Sequence, residues 1–368
     1  MSSTPARRRT AWPLAVALLV TLGCAEESPI FGTLRYEGNN LDVWASEGLV
    51  ACGGSYAYMD GWLDGWRQRL GDYARPQHHI FNWLGDDDFD ASPCDTPDNG
   101  CARWRDNVAY SRLIPLEHEL VHTELDTHEA ASLFTEGIAE LFGARKDVTS
   151  LSSAFSFDEL VARQRQIPGD SYETAGRFSR YLVETYGMDA YIGALNASPR
   201  EGGATGISSA LARHTGDALE DIRKDFESYP VCQLAEWRYF DYECLAMPAT
   251  PWVADGHWEV EVDLSCEASD VIGPRDDRIW TMRAIEIQTE GRYLLSGGIA
   301  GVQTYLAPCD TTCFRDDDEA TEAIDSLLPI GRVDRFAVVL KPGRYWFRFE
   351  LPFSSTESVS MTVERAEP

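Results

Sequence analysis

Between about residues 226 and 258 the hydrophobic period of the chain changes from that of a helix to that of a strand, so the chain must build two different kinds of packed layer. Upstream, Tyr58, Met59, Trp62, Leu63, Trp66 and Leu70 recur at three- and four-residue steps, the stripe of an amphipathic helix facing a core. Residues 34–44 read as a hairpin about Gly38-Asn39-Asn40. Residues 79–84 and 108–114 read as short strands separated by a Pro-, Asp- and Gly-rich loop between Cys94 and Cys101. Helical pattern then runs to Phe226. Beyond Pro248 and Pro251, alternating runs at 258–264, 284–287, 292–296, 335–340, 345–351 and 359–363 indicate a β-sandwich. With 368 residues, 44% of them hydrophobic, there is apolar material for two cores, divided as 31–248 and 249–368.

The first 23 residues read as an export signal, with Arg7, Arg8 and Arg9 ahead of an apolar run too short to span a bilayer. Thr21-Leu22-Gly23-Cys24 resembles a bacterial lipobox, which implies lipidation of Cys24 and a short tether over 24–30; cleavage after Ala25 is the alternative. Eight further cysteines suit an oxidising compartment. The spacings Cys94 to Cys101, Cys232 to Cys244 and Cys309 to Cys313 can each close a small loop, leaving Cys52 and Cys266 as a long-range pair among many connectivities. The net charge of −28 argues against nucleic acid as a partner and against anionic lipid surfaces. Membrane contact is then expected only through an anchor at Cys24, on a protein exported to a bacterial envelope or beyond it.

Chemistry concentrates in Glu117-His118-Glu119-Leu120-Val121-His122. Side chains four apart share one helix face, so His118 and His122 can offer imidazoles to one ion while Glu119 stands beside them to take a proton from water. Chance produces this pattern in about one such chain per hundred, so accident explains it poorly. Pro115 suits a first helical position, and Leu116, Leu120 and Val121 supply the apolar side.

A catalytic zinc takes three protein ligands and keeps one position open. Phe134-Thr135-Glu136-Gly137-Ile138-Ala139-Glu140 resembles the second zinc helix of the gluzincins, the thermolysin-like superfamily of zinc metallopeptidases. That resemblance implies Glu136 as third ligand and Glu140 as a group orienting a ligand histidine from behind. Ser132 is expected to cap this helix. A Tyr-x-x-Ala-x-x-Phe-x-x-Tyr-Leu run from Tyr172 is similar to a helix of the same superfamily and implies Tyr172 as donor to the reaction's oxyanion; a purely packing role for that helix is the other reading. His128 is the competing third ligand, because His118, His122 and His128 have metzincin offsets. Leu125 stands where that pattern needs glycine, and leucine resists the positive φ of the required turn.

The expectation is therefore an α+β zincin-like metallopeptidase domain, mainly helical around its site, followed by a small all-β sandwich. It implies a zinc-dependent hydrolase acting on a peptide or protein. A second expectation is a non-catalytic envelope lipoprotein with a retained metal site and an adhesive sandwich. The acidic runs at 86–90 and 316–319 read as solvated loops rather than calcium sites, and His78 and His79 have no evident tie to the metal.

Overall fold

The computed structural model describes residues 28–94, 99–125, 130–143, 156–163, 166–229, 240–275, 277–309, 328–330 and 333–366. The export segment, Cys24, His128, Cys232, Cys313 and the acidic run at 316–319 lie outside the described residues.

The hairpin pairs β1 (Thr33–Glu37) with β2 (Leu41–Ala45), and the alternate residues Leu41, Val43 and Ala45 are fully buried. Helix α1 (Ser55–Leu70) carries the chain across to β3 (His79–Trp83), which pairs with β2 in parallel. All six residues of its predicted stripe are buried. Helix α2 (Asp86–Asp90), β4 (Gly100–Arg103) and β5 (Val108–Ser111) complete a mixed sheet of order β1-β2-β3-β5-β4, with β4 antiparallel at one edge. Two sequence readings change here. The segment 86–90 is a helix, not a loop, though Asp86, Asp87 and Asp90 are exposed as read; Arg112 reaches Asp86 at 3.1 Å and Asp90 at 2.6 Å, and Ser46 bonds Asp88. The loop after Cys94 also ends in the edge strand β4, which Pro- and Gly-rich composition concealed.

A helical layer follows: α3 (Glu117–Glu124), α4 (Ser132–Gly143), α5 (Phe157–Ala162), α6 (Tyr172–Ala197, kinked at Gly187), α7 (Gly203–Thr215) and α8 (Leu219–Ser228). Pro115 lies ahead of α3 rather than inside it, and Leu116 is the N-cap residue. Ser132 is the first residue of α4, and its hydroxyl accepts from the Ile167 amide at 3.0 Å instead of capping its own helix. The Ala131 carbonyl takes the first-turn amides of Phe134 and Thr135.

The C-terminal strands form two sheets. One, of order β11-β10-β13-β8-β7, contains β7 (Ile272–Arg275), β8 (Arg278–Ile287), β10 (Gln303–Pro308), β11 (Leu328–Pro329) and β13 (Gly343–Pro352). The other, of order β12-β9-β14-β6, contains β6 (His257–Leu264), β9 (Gly291–Gly297), β12 (Val333–Leu340) and β14 (Glu357–Arg365). A common core that includes Trp258, Val262, Leu295, Phe347 and Phe349 lies between them. β6 alternates cleanly between buried and exposed, as a strand with one wet face must.

β13 does not alternate. Tyr345, Phe347, Phe349 and Leu351 enter the sandwich core, while Trp346, Arg348 and Glu350 on the opposite face are buried as well. What covers the neighbouring strands is the earlier part of the chain: Ile272, Trp280 and Met282 lie in one core with Met59, Trp62 and Phe142, across the expected division at residue 248. The Cys52–Cys266 bond joins the two regions and matches the expected long-range pair, and Cys94–Cys101 forms as read. The remaining expectation fails at Cys244 and Cys309, which bond each other rather than their expected partners. The single π-helical turn Tyr242–Ala246 packs against the sandwich and carries Cys244 to it, a proximity that sequence spacing does not encode.

Candidate metal centre

After β5 the chain turns through 112–116, where the Ser111 hydroxyl accepts from the Leu113 amide at 2.9 Å, and enters α3. Helical spacing puts His118 and His122 on one face, their ring centroids 4.9 Å apart, while Leu120 and Val121 are buried on the other. The two Nε2 atoms are 3.2 Å apart, and Glu136 Oε2 of α4 lies 3.3 Å from each. His118, His122 and Glu136 thus form a near-equilateral triangle of donor atoms that could hold a metal ion.

Two glycines bring Glu136 to this position. Gly143, at the end of α4, sits on the start of α3; a Cβ there would be 2.6 Å from His118 Cα and closer still to its amide nitrogen. Gly137, next to Glu136, sits on α6, where a Cβ would be 2.6 Å from the Ala175 carbonyl oxygen. Real Cβ atoms do not approach so closely, so both helix contacts require a missing side chain.

Around the triangle, Glu140 Oε2 is 3.6 Å from His118 Nδ1, and the Tyr172 ring stacks on His118 at 5.7 Å with planes 6° apart. Glu119 is buried, and its carboxylate lies beside Gly100 of β4, the outer strand of the sheet. Burial works against an imidazolium at His118, but hydrogen bonding to Glu136 and Glu140 and the charge of Glu119 outweigh it and raise its pKa well above the ordinary imidazole value. Burial likewise opposes ionisation of Glu136, yet the two imidazoles hold its carboxyl well below the usual carboxylate range. Three carboxylates crowded about two imidazoles form an electron-rich cluster whose chemistry suits a divalent cation.

Sequence reasoning missed the groups that hold α3 in place. Glu124, two residues past His122, turns to the far side of the helix, where Arg67 of α1 binds its two oxygens at 3.0 Å each. His79, fully buried on β3, bonds the same carboxylate at 2.7 Å. Desolvation raises the Glu124 pKa, but the His79 and Arg67 hydrogen bonds win and lower it. A buried histidine one strand away, with a glutamate on the apolar side of the helix, was the available signal. At the other end of α3, Glu117 is also buried and lies 3.7 Å from Arg275 of β7. Leu125 leaves α3 with φ −99° and ψ 123°, not the left-handed turn of the competing motif.

No family model matches the chain, and no curated protein does. Among solved structures, the chain is similar to the Salmonella Typhimurium protein PliG, a periplasmic inhibitor of g-type lysozyme, at 10% identity over 30% of this chain and 88% of that one. The TM-score is 0.19, too low for any argument about fold or function. Among the described residues no helix is long and apolar enough to cross a membrane.

Proposed function

We propose that this chain is an exported, zinc-dependent hydrolase of the zincin type, acting on peptide or protein, with His118, His122 and Glu136 as ligands and Glu119 as general base. The observation that carries the reading is the size of the donor triangle. Ligands at about 2.05 Å from a tetrahedral zinc stand about 3.3 Å apart, and the three edges here measure 3.2, 3.3 and 3.3 Å. Such a triangle supplies three of the four positions of a tetrahedral ion, the fourth being the one that water takes in a catalytic site. The three disulfides of the described residues suit an oxidising compartment and support export.

When bound, the ion supplies a Lewis acid that acidifies water and polarises a carbonyl. Glu119 takes the proton of the attacking water as its oxygen bonds the scissile carbon, then delivers that proton to the departing amine as the C–N bond breaks. Burial beside Gly100 keeps this carboxylate out of bulk water. Glu140 holds the His118 ring from its Nδ1 side, which fixes the tautomer that presents Nε2. Tyr172, held against His118, is the donor to the oxyanion. Among the described residues β4 is the outer strand of its sheet, and an extended peptide adding to it as a further strand would bring its backbone past Gly100 to Glu119.

The test is Glu119→Gln assayed against a quenched-fluorescent peptide library. Bound zinc is expected to stay near wild type while hydrolysis falls by at least about a hundredfold. Hydrolysis that persists at the wild-type rate removes Glu119 from the chemistry. A zinc-binding wild type that cleaves nothing in the library leaves the adhesive lipoprotein as the better reading.

A further inference from the structure

Helix α3 has eight residues and no side-chain cap at its N-terminus. So short a helix has little stability of its own, and its placement must come from what grips it. Its outer ends are gripped by charge. Glu124 is held by Arg67 and His79 of its own domain. Glu117, the residue beside His118, is held from the sandwich: Arg275 Nη1 stands 3.7 Å from its Oε2, in a pair of which both members are at least nine-tenths buried.

Arg275 is itself fixed. Its guanidinium lies 5.0 Å from the Trp280 ring centroid, and that tryptophan belongs to the core shared with the first domain. The strand that carries Arg275 is stitched to the start of α1. Cys52 donates its amide to the Gly273 carbonyl at 2.8 Å, Gly54 donates to Val271 at 2.8 Å, and the Gly273 amide donates to the Ser55 hydroxyl at 3.0 Å. The Cys52–Cys266 bond closes the same seam.

We infer that the β-sandwich is a working part of the metal site, with Arg275 a positioning residue that acts through Glu117 to set the orientation of α3 and so the His118–His122–Glu136 triangle. The inference rests on the zinc-binding reading above and assigns the sandwich a part in it other than adhesion. Its signature is a sign. Removing a cation near a cation site should tighten metal binding by simple Coulomb reasoning. Loss of positioning should weaken it.

The experiment measures zinc affinity of the full chain by competition with a fluorescent chelator, with near-UV circular dichroism confirming the folded state. Arg275→Met, which keeps the apolar stem against Trp280, is expected to weaken zinc binding about tenfold, as loss of a supporting contact behind a ligand does. Adding Glu117→Gln is expected to cost little more, because the pair through which Arg275 acts is already broken. Arg283→Met, which breaks the sandwich's own Arg283–Asp270 pair, is expected to leave affinity unchanged. Should Arg275→Met fail to fold, Arg275→Gln decides, with a several-fold loss expected. Affinity within twofold of wild type, or tighter, in the folded Arg275 variant overturns the inference while leaving the zinc site standing. A wild type that binds no zinc removes the proposed function itself, and this inference with it.

Discussion

Replacing Gly137 with alanine separates a geometric account of the site from a propensity account, because the two predict opposite signs. In an ordinary helix interior Gly→Ala stabilises by about 0.5–1 kcal/mol. Here the new methyl would lie 2.6 Å from the Ala175 carbonyl oxygen and closer to the Ser179 hydroxyl. The carbonyl belongs to the backbone of α6 and cannot rotate away. Ser179 is committed as well, bonded at 2.8 Å to the Tyr191 hydroxyl, which donates to the Phe134 carbonyl at 2.7 Å. The helices must therefore separate by somewhat less than 1 Å to restore van der Waals contact, and overpacking of this kind costs about 1–3 kcal/mol. Net of the propensity gain, the variant should lose up to about 2.5 kcal/mol in urea unfolding of the metal-free protein. Glu136 is the adjacent residue, so the same shift moves Oε2 off the triangle, and zinc affinity should fall about tenfold or more. A variant that is more stable than wild type with zinc affinity intact would refute the close-packed α4–α6 contact.

Two further outcomes follow from the same geometry. Because His118 has a pKa raised above the ordinary imidazole value of about 6.5, its share of stability in the metal-free protein is complete below that pH and is lost as pH rises through the raised value. Zinc uptake at pH 7 should accordingly release about one proton, seen by calorimetry in buffers of differing ionisation enthalpy; no buffer dependence would contradict the raised pKa. Replacing Cys52 and Cys266 together by serine opens a link across 214 residues and should cost about 3–5 kcal/mol in equilibrium unfolding, whereas a loss below about 1 kcal/mol would show that the seam is held without it.

The metal-binding pattern was legible because it is local. His118 and His122 need only the helical repeat, and Glu136 was read from the resemblance of residues 134–140 to a known zinc helix, itself a local pattern. What was hidden depends on partners far away in sequence. Phe347-Arg348-Phe349-Glu350-Leu351 alternates as a strand does, yet Arg348 and Glu350 are buried: Glu350 pairs with Arg278 and Arg348, and Arg348 lies over Trp280, which shares a core with Met59, Trp62 and Phe142 far upstream. Cys244 was read with the nearer Cys232 in the chain, whereas folding brings it to Cys309. The strand β4 carries glycine, cysteine and alanine instead of β-branched residues, and only pairing with β5 defines it. Glu117 and Glu124 drew no role from the sequence, yet both are buried and paired with arginines that no local pattern points to.

The central claim, that His118, His122 and Glu136 together hold one catalytic ion, is tested most directly by mass-spectrometric metal analysis of the purified protein beside its Glu136→Ala and His128→Ala variants. About one zinc per chain, lost in Glu136→Ala and kept in His128→Ala, is the predicted result. Zinc retained in Glu136→Ala and lost in His128→Ala would contradict it, as would a folded wild type that carries no metal after dialysis against zinc.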